Sequence, residues 1–151
     1  MDFRRKPLNH RPPDWVEDGA VFFVTLCLKD RNSDLPNNPQ VAEQIRASAA
    51  YYQKEKFWWV QLMVLMPDHL HALISFNQVE RSMSQCIQAW KRYLSRTTEI
   101  CWQQGYFDHR LRSSDALREK AAYIRENPVR AGLVDDAKAW PYLWTSEDFD
   151  R

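Results

Sequence analysis

The chain has 151 residues and a formal net charge of only +1, a length that implies one domain over residues 1–151 and a balance that argues against a highly basic nucleic-acid coat. Hydrophobic residues make up 44% and aromatics 13%, with seven Trp, so a substantial core is available and disorder is not the default. Cys27, Cys86 and Cys101 are odd in number and lack zinc-type spacing, so free thiols in a reducing compartment are expected.

The chain opens on a basic stretch, with Arg4, Arg5 and Lys6 ahead of Pro7 and no apolar run behind them, which reads as a flexible basic arm over residues 1–14 rather than a secretory signal. Val21 to Leu28, rich in Val, Phe and Thr, is a predicted strand. Arg31 to Pro39 carries two prolines and three asparagines and reads as a loop into a helix near Val41 to Lys54. Phe57 to Met66 and His69 to Phe76 are two strands joined by Pro67-Asp68, a short turn that favours antiparallel pairing. The first of them is interrupted by Gln61 and too short to span a bilayer, so no membrane association and a cytoplasmic location are expected.

Met83, Ile87, Trp90, Leu94 and Cys101 recur at helical spacing, which predicts an amphipathic helix from about Glu80 to Trp102. Gly105 to Leu111 is a short strand, and Ser113 or Ser114 can cap a last helix that carries Tyr123. The order β-α-β-β-α-β-α fits an α+β, ferredoxin-like split βαβ arrangement, an antiparallel sheet with helices packed on one face. Trp140 to Trp144 reads as an aromatic lid on the core. Basic residues gather again at Arg110, Arg112 and Lys120, a possible phosphate track, although such clusters are equally often plain solvated surface.

Chemistry enters at His69-Leu70-His71. A strand sends residues i and i+2 to one face, so two imidazoles point into one site, and neutral imidazoles are good ligands for divalent metals. A metal held by few side chains keeps positions open for water or a phosphate oxygen. A lone His-x-His pair also serves as ordinary hydrogen bonding at a strand end.

Some fifty residues on, Tyr123 and Asn127 stand four apart at the end of a helix and share one stripe at the rim of its apolar face. An amide oxygen there supplies a third neutral ligand, and a tyrosine supplies a hydroxyl nucleophile. A free phenol is protonated at neutral pH, so it needs a metal that polarises the target phosphate. The plain alternative is a core-rim aromatic and a helix-terminal residue before Pro128.

With these motifs in view, the chain resembles the single-tyrosine HUH transposases, specifically the REP-associated tyrosine transposases. The resemblance rests on Val64-Leu65-Met66-Pro67-Asp68-His69-Leu70-His71, on Gly105-Tyr106-Phe107-Asp108-His109-Arg110, and on Tyr123 through Val134, in matching order and spacing over roughly residues 15 to 145. Relatives that mobilise insertion sequences usually carry Gln where this chain has Asn127, a departure that fits the REP-associated branch.

The resemblance implies metal-dependent transesterification on single-stranded DNA hairpins, palindromes flanked by a short conserved tetranucleotide. Tyr123 would be the nucleophile, leaving a 5′-phosphotyrosine link and a free 3′-hydroxyl. His69, His71 and Asn127 would hold Mg²⁺ or Mn²⁺, and the site would be complete in a monomer rather than shared across a dimer. Arg4, Arg5, Lys6, Arg110, Arg112 and Lys120 are candidate DNA contacts, and His109 is either a supporting partner of the site or ordinary structure. Two rivals remain open: a catalytically silent hairpin-binding regulator on the same fold, and a metal-dependent hydrolase of small phosphate esters that does not use Tyr123.

Overall fold

β1, Val21–Cys27, is built from β-branched and aromatic residues that suit a pleated, half-buried surface, and its side chains alternate between two cores. The computed structural model describes residues 12–16 and 20–150. Arg4, Arg5 and Lys6 of the expected arm lie outside the described residues.

α1 is Pro39–Lys54, two residues longer at its start than predicted, because Asn38 caps it by accepting from the backbone N–H of Gln40 and Val41 while Pro39 occupies the first turn. β2 is Trp58–Leu65 and β3 is His69–Phe76. The turn between them is held from outside: Leu28 N donates to Asp68 O at 2.9 Å and Leu35 N to Pro67 O at 3.0 Å. β2 shifts register between Val60 and Leu62, so Val60 faces one core and Leu62 the other.

α2 is Met83–Thr97, shorter at both ends than the predicted span. It begins at a capping box of Ser82 and Gln85. It stops because Thr98 turns extended and its hydroxyl takes the carbonyl of Leu94, which frees Trp102 to pair with Leu28. β4 is Phe107–Leu111 and α3 is Ser114–Arg130, capped by the Ser113 hydroxyl.

The chain closes with β5, Leu143–Thr145. The aromatic segment expected as a lid thus supplies a strand as well. It adds to the edge of β2, and Trp140 Nε1 donates to Leu65 O at 3.1 Å.

The five strands run in the order β4-β1-β3-β2-β5, and all the pairings are antiparallel. The first four form the ferredoxin-like arrangement expected of the βαββαβ order, with β5 appended. One expectation needs correcting: the helices do not all pack on one face. α1 and α2 cover one face with Val24, Leu26, Leu70, Ile74 and Trp90. The opposite face carries its own apolar row of Val21, Leu62, Val64, Leu73 and Leu111, which must also leave water, and α3 covers it through Ile124.

Ile124 has no exposed surface and is the central contact of α3 with this second core. Ile124→Ala is expected to cost about 2–5 kcal/mol through lost burial and a residual cavity. Val79→Ala, at a site 87% exposed, should change stability by less than about 0.5 kcal/mol. Denaturant unfolding of the two variants checks this; equal midpoints would show that α3 is not anchored there.

Candidate active site on the second face of the sheet

His69 and His71 leave β3 on the α3 side, their rings 4.6 Å apart between centroids. Each ring is fixed through Nδ1. His69 Nδ1 lies 2.7 Å from Asp68 Oδ1, and the other oxygen of Asp68 pairs with Arg31 Nε at 2.8 Å. His71 Nδ1 lies 2.8 Å from Thr25 Oγ1, across the β1–β3 register pair that joins the two residues. When both Nδ1 atoms carry the proton and donate it in these bonds, both Nε2 lone pairs are left for a ligand.

His71 is buried. Its pKa is lowered from 6.5 to about 3, first by burial and then by the charges of His69, Lys120 and Arg130. The imidazole is therefore neutral, its ligand form, throughout the physiological range.

Tyr123 stands over this pair from α3, its ring 5.8 Å from that of His71 and edge-on to Phe23 at 6.3 Å. It is 43% exposed, so part of the side chain remains open to solvent. Two cations flank it: Arg130 Cζ lies 4.2 Å from its ring centroid and Lys120 Nζ 5.3 Å. Arg130 also donates to the carbonyl oxygen of Tyr123.

α3 runs through Pro128 without breaking and ends in a Schellman closure, with Leu133 N donating to Pro128 O and Gly132 N to Val129 O, both at 2.9 Å. Gly132 takes φ +75°, which suits glycine best. The Asn-Pro-Val-Arg-Ala-Gly stretch is thus a helix end that seats Asn127 one turn beyond Tyr123. Asn127 is buried and its Nδ2 has no hydrogen-bond partner. A buried N–H donor left unpaired costs roughly 1–3 kcal/mol, which an acceptor such as a phosphate or water oxygen would relieve.

These residues fit a divalent cation. Among the described residues no three His, Cys, Asp or Glu side chains gather; the donors that suit the ion are the two imidazole nitrogens, and from Asn127 it would take the amide oxygen Oδ1, not the unpaired Nδ2. Neutral nitrogen and oxygen donors of this kind leave room for water and phosphate oxygens on a divalent metal.

The remaining predicted contacts divide. Lys120 joins the site. Arg110 pairs with Phe22 in register, which places it on the opposite face of the sheet from the histidines, and Arg112 is exposed beyond β4. His109 is paired with Phe23 and shares the face of His71, but two strand spacings from β3, about 10 Å, put it outside the ligand set. Thr25, Asp68, Phe23 and Arg130 belong to the site and are not among the residues singled out from sequence. Arg130 had a signal, seven residues or two turns from Tyr123, whereas Thr25 depends on strand register.

The site thus sets a helix-borne tyrosine against His71 on a four-stranded ferredoxin-like sheet with an added edge strand. The chain belongs to the IS200-like transposase family, whose model matches residues 20–127, from β1 through Asn127. It is 23% identical over 138 residues to the REP-associated tyrosine transposase of Escherichia coli K12, covering 88% of this chain and 81% of that one. A Haemophilus influenzae relative is 26% identical over 140 residues, covering 82% and 78%. The solved structure of a REP-associated tyrosine transposase bound to a REP hairpin superposes with a TM-score of 0.71 at 21% identity, covering 95% of this chain and 81% of that one. Among the described residues, no helix is long and apolar enough to cross a membrane.

Because His71 is held neutral when folded but has an ordinary pKa when unfolded, its contribution to stability is fully present above about pH 6.5 and is lost as pH falls from there toward 3. In chelator-treated protein its ring resonances should therefore not shift between pH 8 and 5, on the ordinary histidine scale. An NMR titration checks this, and a midpoint near 6.5 would contradict the burial argument.

Proposed function

We propose that the protein is a metal-dependent single-stranded DNA endonuclease and transposase that acts at hairpins through a tyrosine intermediate. The observation that carries this reading is the packing of Tyr123 against His71 beside His69, with both imidazoles held through Nδ1, Phe23 against His71 and Tyr123, and two cations over the tyrosine ring. The named relative and the hairpin-bound solved structure support folded DNA as the substrate.

Tyr123 Oη attacks the phosphorus of a phosphodiester, giving up its proton, and the bond from phosphorus to the 3′ oxygen breaks. That oxygen takes a proton and leaves as a free 3′-hydroxyl, while the 5′ side stays joined to the tyrosine. The bond is exchanged rather than hydrolysed, so rejoining needs no nucleotide cofactor. Lys120 and Arg130 draw the phosphate toward the ring and balance its charge. His69, His71 and Asn127 would hold Mg²⁺ or Mn²⁺, which supplies charge neutralisation and in-line orientation at the phosphate. Asp68 and Thr25 fix the imidazole orientations.

Tyr123 packs against His71 of its own chain, which favours a self-contained site and a functional monomer. Residues 1–151 serve in this reading as one domain, with the basic arm as an added DNA contact.

Incubation with end-labelled hairpins and Mn²⁺ should give a covalent adduct on a denaturing gel. Tyr123→Phe should abolish it while hairpin affinity stays within about threefold, since only a hydroxyl is lost. Chelation or His69→Ala should abolish it as well. Hairpin binding without an adduct in the unaltered protein would favour the silent regulator, and turnover of small phosphate esters surviving Tyr123→Phe would favour the hydrolase.

Thr25→Val removes the Nδ1 partner of His71 while keeping the shape of a β-branched side chain. Mn²⁺ affinity, read by calorimetry, should fall about 10–100-fold. An unchanged affinity would place His71 outside the metal site.

A further inference from the structure

The groove between α1 and α2 lies on the sheet face away from Tyr123, and its chemistry is not used by the cleavage site. Two helical stripes wall it: Gln44, Ala47, Ser48 and Tyr51 from α1 face Ala89, Arg92, Tyr93 and Arg96 from α2. Tyr52, Phe57 and Arg81 complete a hollow of about 690 Å³. Among the described residues three guanidiniums line it and no carboxylate does. Arg81 already lies over an aromatic face, its Cζ 4.2 Å from the centroid of Phe57.

The polar atoms of the floor are occupied internally. Gln44 Nε2 donates to Tyr93 Oη at 2.9 Å, Trp90 Nε1 to Ser48 Oγ at 2.8 Å, and Ser48 Oγ to Ile45 O at 3.1 Å. What the groove offers a ligand is therefore ring faces and guanidinium groups, not a pattern of hydrogen bonds that reads a particular edge. Tyr51 is 57% exposed and presents such a face to the outside.

A second hollow, of about 550 Å³, shares Arg92 and Arg96 with the first and continues to Trp102, Gln103 and Gly105. Lys91 in its wall is spent on the carbonyl oxygens of Gln103 and Gly105. Arg92 and Arg96, both exposed, thus form a cationic ridge between two hollows. A compact anion fills one hollow; a flexible polyanion with flat groups at intervals fits both, its phosphates on the ridge and its bases on the rings.

The geometry points to a second DNA-binding site: a sequence-tolerant track for single-stranded DNA along the α1–α2 groove, with Arg81, Arg92 and Arg96 on phosphates and the exposed ring of Tyr51 under a base. The identity of the polyanion rests on the cleavage reading; the ring-and-guanidinium chemistry does not. The track would hold unpaired DNA flanking a hairpin while the scissile phosphate lies on the other face.

The test is fluorescence anisotropy of the full chain with a labelled oligothymidylate of about 16 nucleotides, which has no hairpin. The double charge reversal Arg92→Glu with Arg96→Glu should weaken binding at least tenfold and flatten its salt dependence, because fewer phosphates are neutralised. Tyr51→Ala should weaken binding severalfold at an unchanged salt slope, as loss of stacking does. All three positions are exposed, and a thermal melt verifies folding.

Unchanged oligothymidylate affinity in the charge-reversed protein would overturn the track. So would a change in sedimentation behaviour without a change in affinity, which would make the groove a contact between copies of the chain. The cleavage reading is scored separately, by adduct formation of the unaltered protein on a hairpin, so either reading can fail while the other stands.

Discussion

One strand serving two cores is the constraint on which this molecule depends. In β3, Leu70, Ala72 and Ile74 pack under α1 and α2, and the residues that alternate with them, His69, His71 and Leu73, are sent to the other face by the pleat. A shift of one residue would bury the wrong set on both sides, so register is enforced by two hydrophobic layers at once. The imidazole pair inherits that precision without any interaction of its own having to supply it. The Pro67-Asp68 turn adds a second fixing point, since its carbonyls are bonded by Leu28 and Leu35 and its carboxylate orients His69.

The second face also explains the chemistry. Ile124 anchors α3 in an apolar row, and the same helix sets Tyr123 beside His71 with Lys120 over the tyrosine ring. Burial makes a charged His71 unfavourable, and the cations around it reinforce the effect. A site with a neutral His71, an unpaired amide N–H and two positive side chains is short of negative charge. In the proposed reading an incoming phosphodiester would supply that charge, despite a net charge of only +1.

Much of this was legible in the sequence, and the misses have physical causes. β3 runs from His69 to Phe76 as its composition predicts, and the short Pro67-Asp68 turn led to the antiparallel hairpin. Tyr123 was read correctly as the rim of an apolar helix face. Which sheet face α3 would cover was not legible, because helix periodicity says that a stripe is buried but not against what. β5 was missed because three residues show too little alternation to mark a strand. Helical spacing carried α2 on to Trp102, but a local threonine hydroxyl ended it at Thr97. Thr25 depends on the pairing of residues 46 apart, and no local pattern encodes that register.

The central claim is that Tyr123 Oη becomes covalently joined to a 5′ phosphate of DNA beside the histidine pair. Mass spectrometry of tryptic peptides after reaction with a hairpin and nuclease trimming tests it most directly. The account predicts a nucleotide-5′-phosphate mass on the peptide from Ala121 to Arg125, which contains Tyr123 as its only hydroxyl-bearing residue. The same mass on a peptide carrying a different tyrosine, or on a serine, would contradict it.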